Sequence, residues 1–268
     1  MRIAVFIKTN PDLQMVRVKN REAVLEAVPF KVGDLEKNAL EAALQLCEAG
    51  DAAGDAAFAE AIIVAVAAGQ GDRKHKETLK EALAMGADEA VVVNDPSLDA
   101  ADQGGVARVL AAAAQKAGPF DLLLFGEGSS DGYSGQVPGR VAELLGMPEI
   151  GYARKLELTG AGVRADRSMG DIIEVLEAPL PVVVTVVSEI NEPRIPSLMN
   201  IMKAGKKPLS EFSLADLGLD AATLAPQRTV LSNLAEEQDR KHVLFEGDVA
   251  QQAEALVGAL VNEGILGR

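Results

Sequence analysis

Apolar residues recur along most of this chain in two alternating rhythms. Ile3 to Lys8 is a short apolar run that ends at Thr9-Asn10-Pro11, as expected of a parallel strand covered on both faces. Leu35, Ala39, Ala42, Ala43 and Leu46 then return at helical spacing until Gly50. Residues 61–67 predict a strand, 77–85 a helix closed by Gly86, and 89–93 another strand. A helix over 103–117, a strand over 121–125 and a helix over 135–145 continue the alternation, which is the signature of a doubly wound, Rossmann-like α/β fold with a mostly parallel sheet. The alanine-rich stretch 49–61 is expected as a surface loop.

The rhythm changes over 152–176, where KLEL and VRAD flank a turn at 159–162 and IIEVLE follows, predicting a small antiparallel excursion before 181–187 returns to the sheet. Residues 219–247 hold no period, whereas Val249, Ala253, Leu256, Val257 and Leu260 share one helical stripe within 248–263. The expected organisation is therefore an α/β domain over 1–218 and an extended C-terminal arm over 219–268 that ends in a helix and seeks a partner surface.

Composition narrows the function. The 268 residues carry a formal net charge of −14, which argues against nucleic acid as a partner because that needs a basic face. The apolar stretches 62–68 and 181–187 are too short to span a bilayer, and the first residues lack the basic and apolar regions of a signal peptide, so a cytoplasmic location is expected. One cysteine and two histidines give no zinc set, and no Ser/His/Asp constellation or carboxylate pair stands out. No catalytic residue and no metal ligand is assigned. Cys47 is expected as a small buried hydrophobe and His75 as a solvated residue at a helix entry.

Two segments carry chemistry. Strand 121–125 is followed by Gly126-Glu-Gly-Ser-Ser-Asp-Gly-Tyr-Ser-Gly135 and a helix that starts near Gln136, with Pro138 tolerated in its first turn. Small residues let backbone approach a ligand, and a helix N-terminus offers unpaired amides and partial positive charge, so a phosphate fits there without a lysine clamp. Neither a P-loop nor GxGxxG is present, which argues against triphosphate hydrolysis. The second segment, NEPRIPSLMNIMKAGKK at 191–207, has Pro193 and Pro196 to oppose a helix, exposed-looking Leu198, Met199, Ile201 and Met202, and lysines 203, 206 and 207 at its end, a composition suited to docking another protein.

NEPR followed by a leucine and NIMKA resembles the recognition loop of the electron transfer flavoprotein beta subunit. DLEKNALEAAL at 34–44, ALAMGAD at 82–88, the 126–148 segment, LPVVVTV at 180–186 and DLG at 216–218 match the same family in order. The resemblance implies a heterodimer with an alpha subunit that carries FAD, and electron transfer from flavin dehydrogenases such as acyl-CoA dehydrogenases towards the respiratory chain, with a membrane quinone oxidoreductase as a possible acceptor. It implies AMP, or a second FAD in an electron-bifurcating member that oxidises NADH, in this subunit. The implied cofactor-binding positions are Asp131, Gly132, Tyr133, Ser134, Gly135, Gln136 and Val137, with Phe6, Ala68 and Gly69 facing the adenosine, and the implied docking residues are Leu198, Met199, Ile201 and Met202. Gly33-Asp34-Leu35-Glu36 departs from the family's Asn-Pro-aromatic-Asp, so an asparagine contact is not carried over. An adenylate-binding sensor akin to universal stress proteins is the reading from another class.

Overall fold

A computed structural model describes residues 1–69, 73–160, 162–228, 230–236 and 241–267. In chain order the strands are β1 (Arg2–Phe6), β2 (Thr9–Pro11), β3 (Arg17–Lys19), β4 (Glu22–Val24), β5 (Phe30–Val32), β6 (Ile62–Gly69), β7 (Glu89–Asn94), β8 (Leu122–Gly126), β9 (Glu149–Thr159), β10 (Gly162–Met169), β11 (Ile172–Pro179), β12 (Val182–Val186) and β13 (Leu209–Phe212). The helices are α1 (Asp34–Ala53), α2 (Ala56–Ala59), α3 (Arg73–Met85), α4 (Gln103–Ala117), α5 (Val137–Leu145), α6 (Leu198–Ala204) and α7 (Val249–Asn262).

Among the described residues, nine strands form one sheet in the order β11-β10-β9-β12-β8-β1-β6-β7-β13. The pairings from β9 through β12, β8, β1, β6 and β7 to β13 are parallel, and the β9-β10-β11 excursion is antiparallel. Burial explains the apolar runs. Ile3 and Val5 of β1 join one core with Leu40, Leu79 and Leu83, whereas Ala4 and Phe6 join another with Val109, Leu110 and Val141. The central strands thus have α1 and α3 on one face and α4 and α5 on the other, so both alternating sets of side chains are apolar.

Several local expectations change. Helix α1 runs past Gly50 to Ala53, and α2 buries Phe58, so 49–61 is mostly helical rather than a surface loop. Gly50 stays inside the helix because a Cβ there would lie 2.5 Å from that of Phe58, a close approach only glycine allows. Pro193 and Pro196 do not prevent a helix at 198–204: both precede the N-cap Ser197, whose side chain accepts from the Asn200 amide. Lys207 is no docking charge, since its Nζ donates to the carbonyls of Leu83 and Ala87 at 3.0 and 2.6 Å and ties the segment to the end of α3.

The chain divides into two compact units, Met1–Arg17 with Val24–Ser232, and Val18–Ala23 with Asn233–Arg268. In the first, residues beyond Gly218 continue over α4, with Leu224 buried and the Gln227 amide donating to Asp102 at 2.9 Å. In the second, Arg21 and Ala235 exchange backbone and side-chain hydrogen bonds, and α7 opens on a capping box made by Asp248 and Gln251. Val249, Leu256, Val257 and Val261 of α7 are exposed.

Candidate functional site

The carboxyl ends of β1, β6 and β8 lie side by side, where open α/β sheets receive ligands, and a cavity of about 440 Å³ opens there. Phe6 at the end of β1 and Phe125 on β8 stack with ring centroids 4.0 Å apart and form part of its apolar wall with Ala68, Leu98, Val106 and Leu110. The 126–136 turn forms the polar wall. Gly126 has no room for a side chain, because a Cβ would lie 2.6 Å from that of Leu35, and Gly135 takes φ +62°, a conformation that favours glycine. Gln136 holds the N-cap position of α5 without a side-chain cap, the helix start at Gln136, Val137 and Pro138 lines the cavity, and Pro138 falls in the first turn as expected.

Nine of the ten positions derived from the family motifs line this one cavity: Phe6, Ala68, Gly69, Asp131, Gly132, Ser134, Gly135, Gln136 and Val137. Tyr133 does not. It is exposed with φ +42°, and a hydrogen bond with Glu127, reinforced by partial burial, pushes its phenol up to about 12. His75 does stand at a helix entry, as the third residue of α3, but it is half-buried and lines the cavity beside Gly69, where a Cβ would fall 1.8 Å from His75 Nε2.

Sequence reasoning missed the charged members. Lys8, just beyond β1, places Nζ 2.6 and 2.8 Å from the two Asp131 oxygens and 3.2 Å from Ser129 Oγ, so a cation sits on the turn expected to work without one. Burial pushes the Asp131 carboxyl up, but hydrogen bonds from Lys8, Ser129 and the Gly132 amide outweigh it and hold the group below its ordinary range. Glu36, in the first turn of α1, is buried on the cavity wall. Desolvation pushes its carboxyl up to about 7 against the opposing pulls of its own backbone amide, Lys8 and Asn10. Asp102 also lines the cavity, but as N-cap of α4 it accepts from Gly104, Gly105 and Gln227, which accounts for it structurally. The signal for Lys8 and Glu36 was a charged residue directly after an apolar strand and another inside the first turn of a helix.

Leu198, Met199, Ile201 and Met202 lie together on α6, all exposed, with Leu198 at 75%. Behind them α1 holds the segment. Asn38 Nδ2 donates to Asn191 O at 2.8 Å, Asn191 Nδ2 donates back to Asn38 O at 3.0 Å, and Arg194 donates to both Glu41 oxygens at 2.7 and 2.9 Å and to Glu48 at 2.7 Å. Among the described residues, no group of three or more His, Cys, Asp or Glu could hold a metal ion, and no helix is long and apolar enough to cross a membrane.

A family model for the electron transfer flavoprotein domain matches residues 23–217, about three-quarters of the chain and all of the 126–136 turn, α1 and α6. The chain belongs to that family.

Proposed function

We propose that this chain is the beta-type subunit of a heterodimeric electron transfer flavoprotein. In this reading it is a redox-silent scaffold that holds an adenine mononucleotide in the cavity, supports an alpha-type subunit carrying FAD, and presents α6 to flavin dehydrogenases. The observation that carries it is the convergence on one cavity of nine residues drawn from three separate motifs, together with an exposed apolar helix on the same unit.

The residues fit such a nucleotide. The turn 126–136 and the α5 N-terminus offer amides to a phosphate, Lys8 adds a cation, and the Phe6 and Phe125 wall takes an aromatic base. A volume of about 440 Å³ lies towards the small end of ligand pockets, roughly 300–1,000 Å³, which favours a mononucleotide such as AMP over a second FAD. When bound in the partner subunit, flavin supplies the electron-carrying chemistry. This chain's residues position and recognise: Lys8 offsets phosphate charge, Asn191 and Arg194 fix the docking segment to α1, and Leu198, Met199, Ile201 and Met202 provide the apolar contact.

Co-expression with an alpha-type partner, followed by denaturation and identification of the released nucleotides, tests the reading. Equal amounts of FAD and AMP in a yellow heterodimer support it. Two FAD per heterodimer would instead favour the bifurcating form, and a colourless homodimer with bound adenylate would favour a sensor.

A further inference from the structure

Glu36 is buried with only part of its carboxyl accounted for: its own backbone amide and the Asn10 side chain act on it. It is 4% exposed on the cavity wall, and its Oε2 completes no hydrogen bond. Two neighbours share the condition: Thr9 Oγ1, also on the cavity wall, and Asn10 Oδ1 are buried without partners. Buried polar atoms are costly to leave unbonded, so the two on cavity-wall residues, Glu36 and Thr9, point to an outside partner. Gly33 lets the carboxyl settle here, since a Cβ on it would lie 2.0 Å from Glu36 Oε2 and 2.4 Å from Asn10 Nδ2.

Position indicates the chemistry. Asn10 Nδ2 donates to the Lys8 carbonyl at 3.3 Å, and the Lys8 ammonium reaches the Asp131 and Ser129 side chains on the phosphate-side turn. Glu36 therefore adjoins the phosphate end of the cavity, and the part of a nucleotide next to its phosphate is the sugar, with hydroxyls that donate. Carboxylates commonly receive ribose hydroxyls in doubly wound folds. We propose that Glu36 is the specificity-determining residue of this cavity, accepting a hydrogen bond from a ribose hydroxyl and so selecting ribonucleotides over deoxynucleotides. The proposal rests on the nucleotide reading above.

Calorimetric titration of the full chain, freed of nucleotide, with AMP and with 2′,3′-dideoxy-AMP tests it. Wild type should bind AMP about tenfold or more tightly than the dideoxy compound, the value of one hydrogen bond to a buried charged or polar group. Glu36→Leu should bring AMP down to the dideoxy affinity while leaving dideoxy-AMP unchanged, and Glu36→Gln, which keeps an accepting oxygen, should retain part of the preference. Equal affinities in wild type, or an undiminished preference in Glu36→Leu, overturn the proposal. Should Glu36→Leu misfold, Glu36→Gln decides in its place, since an undiminished preference there overturns the proposal as well. If neither compound binds wild type, the nucleotide reading itself fails and the proposal with it.

Discussion

Helix α1 buries three polar side chains on one domain, Glu36, Asn38 and Glu41, and they divide sharply in how they are satisfied. Asn38 and Glu41 meet the 188–194 segment with complementary groups, carbonyl to amide and guanidinium to carboxylate. Glu36, less than two turns away, leaves Oε2 unbonded beside a cavity. The satisfied pair belongs to the fold: it positions the segment that carries α6. The unpartnered oxygen has no counterpart within the fold, and the ribose hydroxyl proposed above would supply one. Polar burial alone therefore does not mark a site; what separates Glu36 is an unpartnered oxygen on a residue of the cavity wall.

The largest effect should come from breaking the satisfied end. Glu41 is buried and Arg194 is its cation, so Arg194→Ala leaves the carboxylate with only neutral donors, Gln45 Nε2 and the backbone amide at 194, in a dry setting. Removing one member of a buried pair costs roughly 3–5 kcal/mol, and here the lower end applies because Arg194 is partly exposed. Urea unfolding should show a midpoint shift of that size, and Glu41→Leu added to Arg194→Ala should recover much of it. A midpoint within error of wild type would mean that the clamp contributes nothing to the fold.

At the unsatisfied end the sign reverses. The Glu36 carboxyl lies at about 7 when folded against an ordinary 4.5, so the folded state holds its proton more tightly than the unfolded chain. The linked stability is greatest below pH 4.5, falls as pH rises through the interval to 7, and stays low above it. The charged groups facing it, Lys8 and Asp131, pair with each other rather than with Glu36. Glu36→Gln in nucleotide-free protein should therefore be the more stable form at pH 8, by about 3 kcal/mol, and equal to wild type near pH 4. A variant less stable than wild type at pH 8 would show that the ionised carboxyl has a structural partner after all.

Gly135 sharpens the same contrast on the ligand side. Its φ of +62° makes any side chain costly, by about 1–2 kcal/mol, and a Cβ would stand 3.4 Å from the Glu127 carbonyl. Gly135→Leu should lower stability by that amount and, more tellingly, reduce the nucleotide recovered after denaturation, because bulk there blocks approach to the α5 N-terminus. Full nucleotide content in a folded Gly135→Leu protein would place the ligand elsewhere.

The legibility of these features follows from their size. Strands β1, β6, β8 and β12 could be read because burial on both faces makes each a continuous apolar run, and the glycine-rich turn after β8 could be read because close approach demands small residues in sequence. The pairs β2-β5 and β3-β4 and the edge strand β13 escaped because three or four residues are too few to carry a period. Helix α6 was hidden by prolines that sit just outside its cap. Lys8 and Glu36 were illegible as a site for a different reason: each is one charged residue, far apart in sequence, and only the placement of β1 beside β8 brings Lys8 to Asp131 and the start of α1 to the same cavity.

The smallest effect on the fold, and the most selective one on function, belongs to Leu198. It lies on the exposed face of α6 at 75% exposure, while the anchors of its segment are Asn191, Arg194 and the buried Ala204. Truncation to alanine removes little that is buried in this chain, so the unfolding midpoint should move by less than about 0.5 kcal/mol. Helix propensity is no obstacle, since alanine is the better helix former. If α6 docks a flavin dehydrogenase, the same truncation removes apolar contact at an interface anchor, worth roughly 1–3 kcal/mol, or about one to two decades in affinity. Dehydrogenase-coupled flavin reduction, followed as a function of dehydrogenase concentration, separates the two effects. The half-saturating concentration should rise by that factor with nucleotide and flavin content unchanged, whereas Arg194→Ala should weaken docking and stability together. An unshifted saturation curve for Leu198→Ala would return α6 to the status of an ordinary surface helix and leave the Asn191 and Arg194 clamp without a functional object.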